Sequence, residues 1–192
     1  MATSSMSTAA SPPPYKGARI VIVMGVSSSG KTVVGEAVAR RLHAPFLDGD
    51  SYHPAANIAK MSAGIPLTDD DDRWPWLMAL AKALHAAAAP KGVAVGACSA
   101  LKRSYRDYLT AQAGEAIVFV YLDGSFELID ARIKARKGHF MPETLLRSQF
   151  ATLEVPAPDE NCIDVPITDT PEAIAATVVG KLSYLKSFKR GQ

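Results

Sequence analysis

The chain has 192 residues, of which 48% are hydrophobic, and this length favours one substantial core over two. Lys and Arg total 21 against 19 for Asp and Glu, so the formal net charge of +2 gives no reason to expect a nucleic-acid partner. No apolar run approaches the roughly 20 residues needed to cross a bilayer, so no membrane partner is expected either.

The N-terminal segment differs in composition from the rest of the chain. Residues 1–14 are rich in Ser, Ala, Thr and Pro, with neither a cationic start nor a continuous apolar stretch. We expect a disordered tail over 1–17, followed by one domain over 18–190. A plastid transit remnant is the alternative for the tail; otherwise we expect a cytoplasmic protein. Cys98 and Cys162 are expected to be buried, reduced thiols.

Strand and helix patterns alternate along the chain. A β-branched apolar run at 19–25 is typical of a strand that is buried on both faces. Pro90 is expected to end the helix that begins at Trp74. The alternation predicts a mostly parallel five-stranded sheet with helices on both faces and ligands at the carboxyl ends of its strands. The predicted strands are 19–25, 44–48, 92–100, 116–122 and 162–167, and the predicted helices are 31–42, 74–89, 101–112, 126–136 and 171–188.

A complete phosphate-binding motif lies between the first predicted strand and the first predicted helix. Glycines let the backbone fold around an anion, and successive N–H groups then point at the phosphates of ATP. Within the motif, Lys31 is expected to be catalytic by neutralising charge, and Thr32 to ligate Mg²⁺. The pattern GxxxxGK[ST], and with it the predicted ATP-binding loop, consists of Gly25, Val26, Ser27, Ser28, Ser29, Gly30, Lys31 and Thr32.

The second predicted strand ends in two carboxylates beside this loop, Asp48 and Asp50. Side chains two apart on a strand point the same way. We assign Asp48 to Mg²⁺ and Asp50 to acceptance of the acceptor's hydroxyl proton, the two roles that phosphoryl transfer needs. An ordinary Asp-Gly turn is the alternative. The chain has no NKxD motif of the kind that reads guanine, which argues against a GTPase.

Seven separated blocks, in the right order, resemble the gluconokinase family: residues 47–54, 57–61, 64–67, 70–77, 98–102, 105–106 and 134–141. The resemblance covers about residues 19–187 and implies a three-layer α/β/α P-loop kinase fold with a helical lid, similar to shikimate and nucleoside monophosphate kinases. It also implies transfer of the γ-phosphoryl of ATP to the 6-hydroxyl of D-gluconate, which feeds the pentose phosphate pathway, and a homodimer. One departure is Ser28, where many family members have glycine.

The acceptor site is expected to use fixed cations, because gluconate carries a carboxylate and a row of hydroxyls. Lys102 and Arg106 are four apart on a predicted helix and should share one face. Solvated surface charge is the alternative for each cation. His53 either binds substrate hydroxyls or packs its loop, and the run Asp69 to Asp72 is expected to be a solvated helix start. The predicted substrate-binding residues are Asp50, His53, Arg73, Lys102, Arg106 and His139.

A mobile lid is expected over about residues 136–156, as in the related kinases. Arg132 and Arg136 lie four apart just before it and would reach the ATP phosphates on closure, with Arg136 catalytic. Stabilisation of the helix C-terminus is the alternative for both. Two other functions stay open: a kinase of another small hydroxy acid such as shikimate, and a nucleotide-binding module that is not a kinase.

Overall fold

A computed structural model describes residues 19–63, 65, 67–135 and 143–187. Gly49–Tyr52 forms a 3₁₀ turn and Asp69–Arg73 a π-helical turn. The strands in these ranges are Ile20–Met24 (β1), Phe46–Asp48 (β2), Ala94–Ala97 (β3), Ile117–Asp123 (β4) and Cys162–Pro166 (β5). The helices are Lys31–Leu42 (α1), Ala55–Ser62 (α2), Trp74–Lys91 (α3), Arg103–Ala113 (α4), Phe126–Ala135 (α5), Glu143–Thr152 (α6) and Pro171–Ser187 (α7).

The five strands form one sheet in the order β2-β3-β1-β4-β5, and every neighbouring pair is parallel. The central strand, β1, pairs with β3 on one side and β4 on the other. The strand order reverses here, so the loop after β1 opens into the crevice where ligands of parallel sheets bind. The predicted five-stranded parallel sheet is therefore confirmed, and its carboxyl edge is the place to look for a site.

The core lies on both faces of the sheet because alternate residues of each strand point to opposite sides. Ile20, Ile22 and Met24 of β1 pack with α3 and α4, while Val21 and Val23 pack with residues of α1, α5, α6 and α7. All five residues are buried. Since a strand covered on both sides must be apolar throughout, the run IVIVM is explained, and the predicted three-layer α/β/α architecture is confirmed.

Several boundaries differ from the predictions. Pro90 lies in the last turn of α3, which ends at Gly92 in a left-handed conformation with φ 78°. Helix α2 was not predicted; it is short, its apolar residues Ile58 and Met61 are exposed, and Asn57 is its buried residue. Helix α6 was not predicted because it lies inside the segment assigned to the lid.

Two predictions concern segments outside the described residues. The predicted tail over 1–17 lies there, as do residues 136–142 at the start of the predicted lid; the rest of that range contains α6. Among the helices of the described ranges, none is long and apolar enough to cross a bilayer.

Candidate active site

The phosphate-binding motif forms a tight loop between β1 and α1. Gly25 has φ 141° and Gly30 has φ 103°, backbone conformations that glycine adopts without strain. A Cβ on Gly25 would lie 3.1 Å from the Ser29 Oγ and 3.3 Å from the Leu122 carbonyl oxygen, so a side chain there would also crowd the loop. Ser28 has φ 61° although it is not glycine, which places strain in the loop.

The loop is suited to bind an anion. It leads directly into α1, whose first-turn N–H groups have no acceptor within the helix. The Ser29 Oγ is buried and has no hydrogen-bond partner among the described residues. The Lys31 Nζ donates to the Val26 carbonyl at 2.9 Å, so the ammonium folds back over the loop. Burial lowers the pKa of Lys31, and the nearby Asp50 carboxylate opposes that shift.

A hydroxyl and a carboxylate meet at the mouth of this loop. The Thr32 Oγ1 donates to the Asp48 Oδ2 at 3.1 Å, which joins the start of α1 to the end of β2. The other oxygen, Oδ1, accepts from the Asp50 N–H at 3.1 Å and caps the 3₁₀ turn. Asp50 is exposed at the same edge. Hard oxygen ligands of this kind are those that Mg²⁺ takes together with substrate phosphates, so the pair fits the predicted metal site.

Gly49 lies between these two aspartates and fixes their position. Its carbonyl accepts from the Trp76 Nε1 at 2.7 Å, and a Cβ at this position would lie 2.4 Å from the Ala97 carbonyl oxygen of β3. The turn is therefore pressed against both α3 and the sheet. Trp76 has only 5% of its surface exposed, so its role is core packing and support of this turn.

His53 follows the turn and packs on its supporting tryptophan. The imidazole stacks on Trp76 with ring centroids 4.0 Å apart, and its Nδ1 lies 3.3 Å from the Asn57 Nδ2. Burial lowers the pKa of His53; Asp50 opposes that shift and Arg73 adds to it. The lowered pKa favours the neutral ring near pH 7, and both Asp50 and Arg73 are near enough to act on it electrostatically.

The predicted acceptor cations Arg73 and Lys102 converge on Asp69. The Asp69 Oδ1 accepts from the Arg73 Nη1 at 2.9 Å and the Tyr105 hydroxyl at 2.6 Å, and its Oδ2 accepts from the Lys102 Nζ at 3.0 Å. The Tyr105 hydrogen bond, with those of Lys102 and Arg73, lowers the pKa of Asp69 to about 2. Asp69 therefore stays ionised and holds two cations side by side, each about one-third exposed.

The acidic run is only in part the solvated helix start that its composition predicted: Asp70 and Asp71 are exposed, but Asp69 and Asp72 are not. Asp72 has only 3% of its surface exposed; it accepts two hydrogen bonds from the Lys60 Nζ, at 2.7 and 2.8 Å, and one from the Thr68 N–H. Asp69 is bound by three donors, as described above. Asp69 and Asp72 tie three elements together, because Asp72 in the π-helical turn binds Lys60 of α2 and Asp69 binds Lys102 and Tyr105 at the start of α4.

The prediction that Lys102 and Arg106 share a helix face is wrong. Lys102 precedes α4 as its N-cap residue in extended conformation and points to Asp69. The Arg106 side chain is 1% exposed and makes a two-point ion pair with Glu160, through Nε at 2.6 Å and Nη2 at 2.9 Å. Its Nη1 donates to the carbonyls of Ala100 and Leu101. Arg106 is thus a buried structural cation, and we withdraw it from the acceptor site.

The predicted lid-side cations are only partly described. Arg132 donates from Nη2 to the carbonyl of Ile167, just after β5, and so does not contact the phosphate loop in this structure. Arg136 and His139 lie outside the described residues. Their predicted roles at the ATP phosphates and at the acceptor stay predictions.

Two residues of the site were missed by sequence reasoning, Tyr105 and Gln149. Tyr105 lies in one of the family-like blocks, but a tyrosine hydroxyl is uncharged, so the charge of the acceptor gives no signal for it. Gln149 in α6 binds Ser27 of the phosphate loop through both of its amide atoms. No local pattern indicates that contact, since 122 positions separate the two residues.

Comparison with known proteins places this geometry in a family. The model of the shikimate kinase family matches residues 27–155. The thermoresistant gluconokinase of Escherichia coli K12 is 45% identical over 170 residues, which cover 88% of this chain and 95% of that protein. The gluconokinase of Gluconobacter oxydans is 45% identical, over 84% of this chain and 89% of that protein.

The chain belongs to the gluconokinase family. Among solved structures, a gluconokinase from Sinorhizobium meliloti is 42% identical, with a TM-score of 0.79 over 93% of this chain and 99% of that one. The APS kinase CysC of Mycobacterium tuberculosis, at 19% identity and a TM-score of 0.59, shares the fold alone. Several of the gluconokinase-like blocks thus meet in space: they supply the Asp48 to Asp50 turn and the three partners of Asp69, which are Arg73, Lys102 and Tyr105.

Proposed function

We propose that this protein transfers the γ-phosphoryl group of ATP to the 6-hydroxyl of D-gluconate, giving 6-phospho-D-gluconate and ADP. The observation that carries the proposal is the hydrogen bond between Thr32 and Asp48 at the mouth of the phosphate loop, with Asp50 two residues further on. The residues proposed to bind ATP and Mg²⁺ and the carboxylate proposed to accept the hydroxyl proton thereby lie at one edge of the sheet. Relatives named gluconokinase, 45% identical over most of the chain, support the choice of acceptor.

On the donor side, the α1 first-turn amides and Lys31 hold the β- and γ-phosphates and stabilise the charge that shifts toward ADP. Thr32 and Asp48 would hold Mg²⁺. When bound, the metal would supply positive charge that offsets the negative charge of the phosphates. Arg132 and Arg136 are proposed to add positive charge at the phosphates when the predicted lid closes.

On the acceptor side, Asp50 accepts the proton of the 6-hydroxyl as that oxygen forms its bond to the γ-phosphorus and the bond to the ADP oxygen breaks. Arg73 and Lys102 bind the gluconate carboxylate with the donors that Asp69 leaves free. His53, neutral and fixed on Trp76, offers a hydrogen bond to a substrate hydroxyl. His139 is proposed to act on the same side.

Another small hydroxy acid is the second candidate acceptor, because the family model that matches is that of shikimate kinase. Arg73 and Lys102 would bind the carboxylate of either acid. A nucleotide-binding module that is not a kinase is the third candidate. It would need the phosphate loop but neither Asp50 nor the acceptor cations.

The deciding experiment measures ADP production by the purified protein with Mg-ATP and, in turn, gluconate, shikimate, glycerate, AMP or no acceptor. Turnover with gluconate alone is the expected result. In the same assay, Asp50→Asn should lower kcat by at least about a hundredfold while MgADP binding stays within a few-fold. Turnover with shikimate instead would keep the mechanism and replace the acceptor. ADP release that needs no acceptor and is indifferent to Asp50→Asn would favour the nucleotide-binding module.

The cytoplasmic location, the homodimer and the supply of 6-phospho-D-gluconate to the pentose phosphate pathway are carried by the family resemblance. Cell fractionation and light scattering on the purified protein would test the first two.

A further inference from the structure

Helix α6 forms hydrogen bonds with the phosphate loop at Ser27. The Ser27 N–H donates to the Gln149 Oε1 at 2.6 Å, and the Gln149 Nε2 donates to the Ser27 Oγ at 2.9 Å. A single amide side chain thus satisfies both polar groups that Ser27 turns toward α6. Glutamine suits this arrangement because its side chain carries an acceptor and a donor on one rigid plane.

The packing of α6 fixes where this amide lies. Leu146, almost one turn earlier, is fully buried in the same apolar cluster as Val26, the neighbour of Ser27. Phe150 packs edge-on against Phe126 of α5, with ring centroids 5.6 Å apart. Gln149 therefore projects from a docked helix, so its position is set by the core and does not depend on the loop.

The residues just after α6 are anchored as well. The Glu154 N–H donates to the Leu101 carbonyl at 2.9 Å, and the Glu154 Oε2 accepts from the Arg103 N–H at 2.7 Å. These bonds attach the end of α6 to the start of α4. Packing of its middle and anchoring of the residues after it make α6 a support against which the phosphate loop rests.

The loop needs such a support because it contains a strained residue. Ser28 follows Ser27 directly and holds φ 61°, a conformation that persists only where surrounding contacts determine the backbone. The bond to Gln149 holds the Ser27 peptide while leaving the first-turn amides of α1 free for phosphates. We propose that Gln149 is a positioning residue of the donor site: it holds the phosphate loop in the nucleotide-binding conformation through the N–H and Oγ of Ser27.

The test is Gln149→Met, which keeps the length of the side chain and removes both hydrogen bonds. Titration calorimetry with MgADP, in the absence of any acceptor, is expected to give about tenfold weaker binding, the size expected for two lost hydrogen bonds. KM for ATP should rise similarly while KM for the acceptor stays within about twofold. The matched control is Gln112→Met in α4, since Gln112 makes no side-chain hydrogen bond to another described residue; it should leave MgADP binding unchanged.

The proposal would be overturned if Gln149→Met binds MgADP as the unaltered protein does. It would also be overturned if the variant binds MgADP more tightly, which would mean that the amide had been competing with phosphate. A lower melting temperature with unchanged MgADP binding would overturn it too, because the contact would then only dock α6. If Gln149→Met does not fold, Ser27→Ala replaces it. That variant keeps the N–H bond, loses the Oγ bond, and is expected to weaken MgADP binding by about threefold. Because MgADP binding needs no acceptor, these outcomes are independent of whether gluconate is the substrate.

Discussion

At the scale of single residues, Asp69 shows how an acidic side chain can contribute to a site that is proposed to bind an acidic substrate. Alone, Asp69 would repel a substrate carboxylate, but it accepts hydrogen bonds from two cationic side chains and one tyrosine hydroxyl. The cluster of Asp69, Arg73 and Lys102 keeps a formal charge of +1, because two cations surround one anion. The single negative charge of a gluconate carboxylate would balance this charge of +1. Asp69 therefore orients the two cations and lowers the net positive charge of the cluster from +2 to +1.

The first prediction follows from these contacts. Asp69→Asn should raise KM for gluconate about tenfold, because Arg73 and Lys102 lose the charge that holds them together. KM for ATP should stay unchanged, since the cluster does not touch the phosphate loop. Steady-state kinetics with each substrate varied in turn would measure both constants.

The neighbouring Asp70 supplies the matched control for that change. Its side chain is exposed and makes no hydrogen bond to another described residue, so Asp70→Asn should behave like the unaltered protein. A KM for gluconate that falls in Asp69→Asn would contradict the prediction, because it would mean that Asp69 competes with the substrate.

At the scale of elements, the turn after β2 depends on the close approach of backbone to backbone. Asp48 and Asp50 can both face the phosphate loop only because Gly49 lies against the Ala97 carbonyl of β3, where a Cβ would come within 2.4 Å. Trp76 of α3 holds the same turn from the other side. The two aspartates therefore lie at a junction of three elements: the turn after β2, strand β3 and helix α3.

The second prediction concerns this junction. Gly49→Ala should lower the free energy of unfolding by about 3 kcal/mol and displace both aspartates, because β2 and β3 must move apart. Urea unfolding and kcat would measure the two effects. Gly180→Ala is the control, since a Cβ there meets nothing within 4 Å in α7, and it should stabilise the protein by about 1 kcal/mol. A fully stable and active Gly49→Ala variant would show that the turn tolerates displacement.

At the scale of the whole molecule, buried or half-buried ion pairs join segments that the sheet alone does not connect. Arg106 and Glu160 fasten α4 to the segment before β5, and Lys60 and Asp72 fasten α2 to the π-helical turn. The Arg106 hydrogen bond lowers the pKa of Glu160, and the Lys60 hydrogen bond lowers that of Asp72. These carboxylates are more acidic in the folded chain than in the unfolded one.

The third prediction is a pH dependence of stability. A carboxylate with a lowered folded-state pKa stabilises the fold above its unfolded pKa, and this stabilisation is lost as pH falls through the folded-state value. The free energy of unfolding should thus fall as pH drops below about 5, in addition to the loss that the lowered pKa of His53 brings as pH falls below about 6.5. Urea unfolding across that range is the measurement.

The Glu160→Gln variant isolates one pair. It should lose about 2 kcal/mol at neutral pH, because the amide keeps only part of the bonding to Arg106, and its stability should fall less steeply in acid. Asp107→Asn, an exposed partner of Arg103 at 3.9 Å, is the control and should change little. Acid profiles that coincide for Glu160→Gln and the unaltered chain would contradict the assignment.

Short-range patterns in the sequence were sufficient to determine the strand and helix alternation, the phosphate loop and the paired aspartates after β2. Each depends on neighbouring residues: a two-sided buried strand must be apolar, and a loop that wraps an anion needs glycine at fixed spacing. Helix α1 was predicted with its observed bounds for the same reason.

Only the tertiary structure decided which charged groups belong to the site. Lys102 meets Asp69 across 33 positions, Arg106 meets Glu160 across 54, and Gln149 meets Ser27 across 122. Helical periodicity placed Lys102 and Arg106 on one face, but α4 begins after Lys102, so the two cations have different partners. The sequence specifies which charges are present, whereas the crossovers that bring distant loops to one edge of the sheet determine how those charges pair.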